Sequence, residues 1–251
     1  FAKTMKKAHN ESKGVKPLIK EITMKIFHTA DWHLGKIIHG TSMLEDQAYM
    51  LEQFIQKIQD EKPDLVIIAG DLYDRANPPT EAVELLNNFL DEVVLTLKVP
   101  VMAIAGNHDS PIRLQFGSNL MRERGFFISG SLEETIEPII LNDSAGEVHF
   151  YLVPFVDPSV VRTLYEDDSV RNFDDALSLI IQRIEKNMNP KVRNVLITHY
   201  FVTPKGEPKE NTSDSERILS VGGIEYVNAQ PFEAFEYVAL GHLHRAHDVG
   251  K

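Results

Sequence analysis

The stretch Val101-Met-Ala-Ile-Ala-Gly-Asn-His-Asp109, followed by Ser110-Pro111, decides the fold. Its first five residues are continuously apolar, which is typical of a short strand buried on both faces. Ser110 before Pro111 indicates the start of a helix, with a capping side chain ahead of a proline at the first helical position. A strand, a polar loop and a helix in this order predict an open α/β sheet, with its chemistry beyond the carboxyl ends of the strands. By itself, the polar tetrapeptide at 106–109 is equally well explained as a capped turn.

The same pattern occurs twice earlier in the chain. Residues 24–30 predict a strand that ends at Asp31 and His33, and residues 65–69 predict a buried strand that ends at Gly70 and Asp71. A helix is expected after each strand, and the third helix is expected to continue to about Arg122. Strands that alternate with helices predict right-handed crossovers and a parallel sheet. The three polar loops should therefore gather along one edge of that sheet.

The helices of these units carry apolar residues three and four positions apart. In the first helix these residues are Leu44, Ala48, Leu51, Ile55 and Ile58. The second helix should begin at Pro78-Pro79-Thr80, with an apolar face formed by Val83, Leu86, Leu90, Val93 and Leu97.

After Gly125 the pattern changes to short strands joined by turns, at residues 126–128, 137–141 and 148–153. A helix is predicted over residues 173–187. Residues 192–198 and 237–240 predict two further strands, which lead into His199 and into Gly241-His-Leu-His244. Residues 202–216 are polar and aperiodic, which predicts a long surface loop or lid.

The composition limits the class of protein. The chain has 251 residues, enough for one large α/β domain or two small ones. It has no Cys, so disulfides and thiolate metal sites are excluded and a reducing cytoplasm is the expected location. No apolar stretch is long enough to span a bilayer.

The charge is distributed unevenly along the chain. Residues 1–23 carry six Lys and two Glu without an apolar period, and we interpret them as a flexible leader or a segment added for expression. The net charge of −11 is therefore near −15 from Met24 onward. Such a domain repels phosphate backbones unless cations are bound locally, which points to divalent metals or to a partner that is not an anion.

Five predicted strand ends carry potential metal ligands, and five of the ten His residues lie there. Nitrogen and oxygen donors without sulfur suit Mn²⁺, Fe or Zn²⁺, and the donors are too many for one tetrahedral zinc. They suit two metals that share a carboxylate, an arrangement used for phosphoryl displacement. The spacing of two in Asp31-x-His33 and in His242-x-His244 would place both side chains on one face of an extended strand. In Asn107-His108, one side chain can bind metal while the other faces the substrate.

Taken in order, D-x-H, G-D-x-x-D, G-N-H-D, a lone His after a strand and G-H-x-H resemble the calcineurin-like metallophosphoesterase family. The resemblance extends from Met24 to the C-terminus. It implies an α/β fold, a four-layer α/β/β/α sandwich with two central mixed sheets flanked by helices, over residues 24–251. Nuclease relatives continue past G-H-x-H with a capping domain and an ATPase-binding segment, so we expect the capping region to be absent here.

The resemblance also implies roles for individual residues. One metal would be held by Asp31, His33, Asp71 and His244. The other would be held by Asp71, Asn107, His199 and His242, with Asp71 bridging and Mn²⁺ the expected ion. His108 would contact the scissile phosphate and stabilise charge or protonate the leaving oxygen, oriented by Asp109. Some nuclease relatives have a second substrate-facing His three residues after the bridging Asp. This chain has Asp74 there, to which we assign no catalytic role.

The motifs at residues 29–35, 70–75 and 241–245 most resemble the SbcD-like branch of bacterial exonuclease subunits. This implies a Mn²⁺-dependent DNA exonuclease/endonuclease of double-strand break repair and recombination, working with an SMC-like ABC ATPase of the SbcC type. The resemblance also suggests a homodimer through the helices at residues 83–97 and 111–122, although packing on the sheet would by itself explain their apolar faces. A phosphatase or a small-molecule phosphodiesterase is the alternative, and a non-catalytic scaffold is less expected. Protein phosphatases of the family carry G-D-x-x-D-R-G and G-N-H-E, whereas this chain has Ala76 after Arg75 and has Asp109.

Overall fold

A computed structural model describes residues 2–4, 23–203 and 226–244. The described strands are β1 (Ala2–Thr4), β2 (Lys25–Thr29), β3 (Ile37–Ile38), β4 (Thr41–Ser42), β5 (Leu65–Ala69), β6 (Val101–Ile104), β7 (Phe126–Ser129), β8 (Ile139–Asp143), β9 (Gly146–Val153), β10 (Arg193–His199), β11 (Val202–Thr203), β12 (Val227–Asn228) and β13 (Tyr237–Gly241). The α-helices are α1 (Leu44–Glu61), α2 (Thr80–Leu90), α3 (Pro111–Gln115), α4 (Ser118–Arg122), α5 (Pro158–Tyr165) and α6 (Phe173–Asn187). A π-helix at Asp91–Thr96 extends α2, and a 3₁₀-helix spans Gln230–Ala234.

Two larger sheets form the centre of the molecule. The first has the order β1-β2-β5-β6-β7, in which β2, β5, β6 and β7 are parallel, as the strand–helix alternation predicts. The second has the order β13-β10-β9-β8, with β8 antiparallel to β9 and the other neighbours parallel. In the first sheet, β1 is antiparallel to β2. Each sheet therefore contains one antiparallel pair and is mixed.

Three buried apolar clusters separate four layers. In β5, Val66 and Ile68 pack in the cluster that contains Leu51 of α1 and Phe89 of α2. The alternate residue Ile67 faces the second sheet and shares a cluster with Phe150 of β9. A third cluster joins strands β9 and β10 to α5 and α6. Strands buried on both faces require covering layers on both sides, so the predicted α/β/β/α sandwich is confirmed.

Two details of the helices differ from the expectation. The buried face of α2 carries Ala82, Leu86 and Phe89, whereas Val83 is 44% exposed. The ring of Phe89 packs against Trp32, with centroids 4.9 Å apart, so this large aromatic joins Leu86 and Val93 of the predicted face in the core. The π-helix then adds a residue to the turn, which shifts the phase of the face.

The predicted third helix is two short helices, α3 and α4. The chain breaks at Phe116 and Gly117, and Gly117 has a φ of +72°, a conformation that favours glycine. Helix α5 was not predicted, although Asp157-Pro158 is an N-cap followed by proline, and the Asp157 side chain accepts from Ser159 N–H.

The segment that we expected to be a flexible leader is described only at Ala2–Thr4, which pairs with β2, and at residue 23. The rest of that segment lies outside the described residues. Of the loop predicted at residues 202–216, Val202 and Thr203 form strand β11, and residues 204–216 lie outside the described residues. Among the described helices, none has the length and apolar character needed to cross a bilayer.

Asp143 ties the two sheets together at the end opposite the polar loops. Its carboxylate accepts from Met24 N–H at 2.9 Å, just before β2. It also accepts two hydrogen bonds from the Arg193 guanidinium, at 2.6 and 2.7 Å. Hydrogen bonding to Arg193 outweighs burial and lowers the pKa of Asp143 to about 2. A bidentate arginine pair with little exposed carboxylate thus links β8, β10 and the start of β2.

Candidate metal centre

The carboxyl ends of parallel strands from both sheets meet at one end of the sandwich. His199, which ends β10 in the second sheet, contacts the Ala69 carbonyl oxygen through Nδ1 at 2.7 Å, and Ala69 ends β5 in the first sheet. Phe155 N–H donates to Ala105 O at 2.9 Å between the same sheets. These contacts bring the five polar strand ends to one place.

Four of the candidate ligands have left-handed backbone conformations, with φ of 57° at Asp31, 45° at His33, 51° at Asp71 and 85° at His242. Such angles are uncommon outside glycine, and they persist only where the surroundings impose them. The spacing of two in Asp31-x-His33 and in His242-x-His244 predicts that both side chains of each pair lie on one face of an extended strand. Instead β2 ends at Thr29, and the turn that follows brings Asp31 and His33 together.

The first group of ligand atoms comes from Asp31, His33 and His244. His33 Nε2 lies 3.1 Å from His244 Nε2, and His244 Nε2 lies 3.7 Å from Asp31 Oδ1. His33 is buried, and burial lowers its pKa to about 4. A buried neutral imidazole presents a lone pair, which is the form that binds metal.

The second group comes from Asn107, His199 and His242. Asn107 Oδ1 lies 3.1 Å from His199 Nε2 and 3.1 Å from His242 Nδ1. His242 is half-buried, and loss of solvent around its ring, helped by the nearby His199, lowers its pKa to about 4. The His242 main-chain N–H donates to both oxygens of Asp31, at 3.1 Å each, so the two groups are tied together.

Asp71 lies between the two groups, and one of its oxygens faces both. Its Oδ2 is 3.6 Å from His33 Nε2 and 3.3 Å from His199 Nε2, while Oδ1 accepts from His108 N–H at 2.9 Å. Burial raises the pKa of Asp71, but hydrogen bonding and charge interaction with His199 outweigh it and lower the pKa to about 2. A carboxylate that stays ionised between two groups of donors has the position of a bridging ligand.

The donor set fits divalent cations. Atoms bound to one ion at bond lengths of 2.0–2.2 Å lie about 3.0–3.5 Å from one another, close to the separations within each group. The His199 Nδ1 contact with a carbonyl oxygen fixes Nδ1 as the protonated nitrogen when the ring is neutral, so Nε2 offers a lone pair toward Asn107 Oδ1. The His199 Nε2 lone pair and the Asn107 oxygen are both acceptors, so this short contact requires either a cation between the two atoms or a second proton on the His199 ring. The residues therefore suit two Mn²⁺, Fe or Zn²⁺ ions held by nitrogen and oxygen.

Glycines allow this close approach. A Cβ on Gly106 would overlap Asp71 Oδ1, and a Cβ on Gly241 would overlap the Ala69 carbonyl oxygen. Each of these glycines directly precedes a candidate ligand, Asn107 or His242, so the Gly in G-N-H-D and in G-H-x-H is required by space.

His108 lies beside the first group, with its ring centroid 4.7 Å from that of His33. Its Nδ1 contacts the main-chain carbonyl oxygen of Asp74 at 2.9 Å. We had expected Asp109 to orient this ring. Asp109 is instead buried and accepts from the N–H groups of Leu72, Tyr73 and Gly106, at 2.9 to 3.1 Å. Its carboxylate joins the loops after β5 and β6, so any effect on His108 passes through the backbone.

Two side chains near the centre were not assigned a role from the sequence. Asp74 Oδ1 lies 3.7 Å from His33 Nδ1, in addition to its carbonyl contact with His108. Gln47 of α1 hydrogen-bonds the loop that carries His33. A polar residue three positions after Leu44 and four before Leu51 interrupts the apolar stripe of α1, and this was the signal that could have identified Gln47.

Comparisons with known proteins agree with the geometry. The family model described as calcineurin-like phosphoesterase matches residues 24–246. The curated SbcD subunit of the nuclease SbcCD from Staphylococcus epidermidis is 40% identical over 226 residues, which are 90% of this chain and 58% of that protein. This chain thus spans less than two thirds of that relative's length.

A solved structure, the calcineurin-like phosphoesterase YfkN from Bacillus subtilis, is 14% identical, with a TM-score of 0.37 over 81% of this chain and 70% of its own. The family assignment rests on the matched model and on the 40% identical relative. On that basis, the chain belongs to the calcineurin-like phosphoesterase family.

Proposed function

We propose that this protein is a two-metal-dependent DNA nuclease of the SbcD type, which hydrolyses phosphodiester bonds during double-strand break processing. The observation that carries the proposal is the position of Asp71 Oδ2, within 3.6 Å of His33 Nε2 and 3.3 Å of His199 Nε2. One ionised oxygen facing two groups of imidazole and carboxamide donors is the arrangement that a dinuclear phosphoesterase centre needs.

In this proposal, Asp31, His33, Asp71 and His244 hold one ion, and Asp71, Asn107, His199 and His242 hold the other, with Mn²⁺ the favoured metal. Bound divalent ions supply Lewis-acid stabilisation of the attacking and leaving oxygens of a phosphoryl displacement. The protein fixes the orientation of the imidazole rings. The Ala69 carbonyl oxygen binds His199 Nδ1, and the residues packed around the buried His33 restrict its ring. The ligands are thereby preorganised before substrate arrives.

His108 is proposed to contact the scissile phosphate. Because its Nδ1 is held by the Asp74 carbonyl, the Nε2 atom is left for the substrate. When the ring is protonated, Nε2–H can stabilise charge on a phosphoryl oxygen or donate a proton to the leaving oxygen. Asp109 contributes by fixing the backbone on either side of the centre rather than by touching substrate.

DNA is favoured as the substrate by the 40% identical relative, whose name is that of one component of a nuclease. The net charge of −11 opposes binding of a phosphate backbone. Two divalent ions would bring about four positive charges to the one place where the phosphate must approach. Arg75 followed by Ala76, and Asp109 in place of Glu, count against the protein-phosphatase branch.

Two partners belong to the same proposal. The relative's name places it in the SbcCD assembly, so we propose an SbcC-type ABC ATPase as partner. A homodimer is supported by an apolar surface on α3 and α4 and the link between them, where Ile112, Phe116 and Leu120 are 81%, 85% and 80% exposed. Three large apolar side chains this exposed on neighbouring turns are unusual on a monomer surface.

The test compares two substrates. The protein with Mn²⁺ is incubated with linear double-stranded DNA and, separately, with p-nitrophenyl phosphate, with and without a chelator. We expect Mn²⁺-dependent release of nucleotides from DNA and much slower hydrolysis of the monoester. Fast monoester hydrolysis with intact DNA would favour the phosphatase alternative. Binding of metal without either activity would favour the scaffold.

A further inference from the structure

The side chain of Gln47 forms three hydrogen bonds to the backbone of the loop that carries His33. Its Nε2 donates to His33 O at 2.8 Å and to Trp32 O at 3.1 Å, and its Oε1 accepts from Gly35 N–H at 3.0 Å. Both amide hydrogens and the amide oxygen are used, and all three partners are main-chain atoms of one short turn. Gln47 is half-buried on α1, the helix that packs on the first sheet.

The turn at residues 31–35, to which Gln47 is hydrogen-bonded, has an unusual backbone conformation. Asp31, His33 and Gly35 all have positive φ, at 57°, 45° and 86°. Three such residues within five cannot be held by local preference, because non-glycine side chains disfavour that region. Main-chain bonds from Asp31 N–H to Gly70 O and from His33 N–H to Asp71 O fix one side of the turn, at 3.0 Å each. Gln47 fixes the other side.

The hydrogen bonds of Gln47 reach the loop of only one of the two groups of candidate ligands. The three carbonyl and N–H groups that it contacts flank the His33 side chain, which belongs with Asp31 and His244. Asn107 and His242 follow β6 and β13, His199 ends β10, and the hydrogen bonds of Gln47 do not reach any of these segments. A change at Gln47 should therefore disturb one ion more than the other.

We infer that Gln47 is a positioning residue that sets the affinity of the Asp31, His33 and His244 group for its metal ion, independently of the Asn107, His199 and His242 group. The inference rests on the proposed two-metal centre. Gln47 acts through the backbone of residues 32–35 and touches neither the ion nor the substrate. Loss of a supporting hydrogen bond around a metal ligand typically weakens metal binding 10–100-fold.

The variant Gln47→Glu tests this in the full chain. A carboxylate keeps the acceptor for Gly35 N–H but turns the two bonds to the Trp32 and His33 carbonyls into repulsions between oxygens. Gln53→Glu, on the exposed face of the same helix, makes the same chemical change away from the turn and is the control. Gln47→Met, which removes all three bonds without adding charge, is the second variant and decides by the same criteria if the first does not fold.

The measurement is Mn²⁺ binding at neutral pH, with bound and free ions counted by electron paramagnetic resonance and folding followed by circular dichroism of the metal-free chain. We expect two ions on the wild-type chain and on Gln53→Glu. In Gln47→Glu, one dissociation constant should rise at least tenfold and the other less than threefold. In a His242→Ala background the remaining ion should weaken with Gln47→Glu, and in a His244→Ala background it should not.

The outcomes are distinguishable. Two ions that weaken equally, or that are unaffected while only the melting temperature falls, would overturn the role of Gln47 and leave the two-metal centre standing. Fewer than two ions on the wild-type chain would overturn the two-metal proposal and this inference with it.

Discussion

Asp71 follows β5 of the first sheet and His199 ends β10 of the second, and Asp71 Oδ2 lies 3.3 Å from His199 Nε2. The contact is buried, and His199 is itself held by the Ala69 carbonyl directly before the Asp71 loop. The candidate metal centre therefore lies at the interface between the two sheets, and its second group of candidate ligands comes together only when the sheets are packed.

Replacing the shared carboxylate should affect both groups of ligands. We expect Asp71→Ala to lose both ions, whereas His244→Ala, which removes a ligand from one group only, should retain one. Metal content after equilibrium dialysis, measured by atomic emission, checks this. An Asp71→Ala chain that holds one ion at wild-type affinity would show that Asp71 does not bridge.

His108 should separate catalysis from metal binding. We expect His108→Gln to bind two Mn²⁺ ions as the wild type does and to cleave DNA at least 100-fold more slowly, since a positioned acid–base group contributes about 10²–10⁴-fold. The check is the initial rate of Mn²⁺-dependent DNA degradation beside the metal content of the same sample. The exposed His39 supplies a matched control, because His39→Gln makes the same change outside the centre. Cleavage by His108→Gln at the wild-type rate would remove His108 from the mechanism.

The Asp143–Arg193 pair predicts a pH dependence of stability. Arg193 lowers the pKa of Asp143 from an ordinary 3.8 to about 2, so the folded state binds this proton less readily than the unfolded state. The stabilisation is fully present above about pH 4 and is lost as the pH falls through 2. With a side chain only 7% exposed, a shift of this size corresponds to about 2 kcal/mol.

Chemical denaturation of the wild type and of Asp143→Asn, from neutral pH down to about pH 3, measures this contribution. The difference in unfolding free energy should be about 2 kcal/mol near neutrality and about half of that near pH 3. Glu84→Gln, at an exposed position of α2, is the control and should differ little from the wild type. If the difference in unfolding free energy between the wild type and Asp143→Asn stays constant with pH, the ion pair does not shift the pKa of this carboxyl group.

The apolar surface of α3 and α4 predicts a concentration-dependent dimer. Phe116→Glu places a charge on a side chain that is 85% exposed, so it should leave folding intact and shift the protein toward monomer. Sedimentation velocity over a range of protein concentrations would detect the shift. Ile140→Glu, at a 48% exposed position of β8, is the control and should leave the association unchanged. Equal association of the wild type and Phe116→Glu would exclude this surface as the interface.

Much of the fold follows from local patterns. Continuous apolar runs such as Leu65–Ala69 can be buried only between two layers, and the strand appears with the predicted bounds. The spacing of apolar residues predicts α6, and Pro79 marks the start of α2 at Thr80. The predicted apolar face of α2 is confirmed at Leu86 and Val93 but was wrong at Val83, which is exposed. Phe89 packs against Trp32 instead, and that contact depends on neighbours distant in sequence.

The candidate site shows the same division. The sequence by itself determined which side chains stand at the strand ends, because Asp31, Asp71, Asn107, His199 and His242 each lie at or just after the end of a strand that its own apolar residues specify. Only the tertiary structure decided how these side chains are held. The hydrogen bonds from Gln47 to the turn that carries His33, and those from Leu72 and Tyr73 N–H to Asp109, join segments 12 to 37 residues apart in the chain. Hydrogen bonds between such segments form only when two sheets and their helices are packed, and no local pattern encodes them.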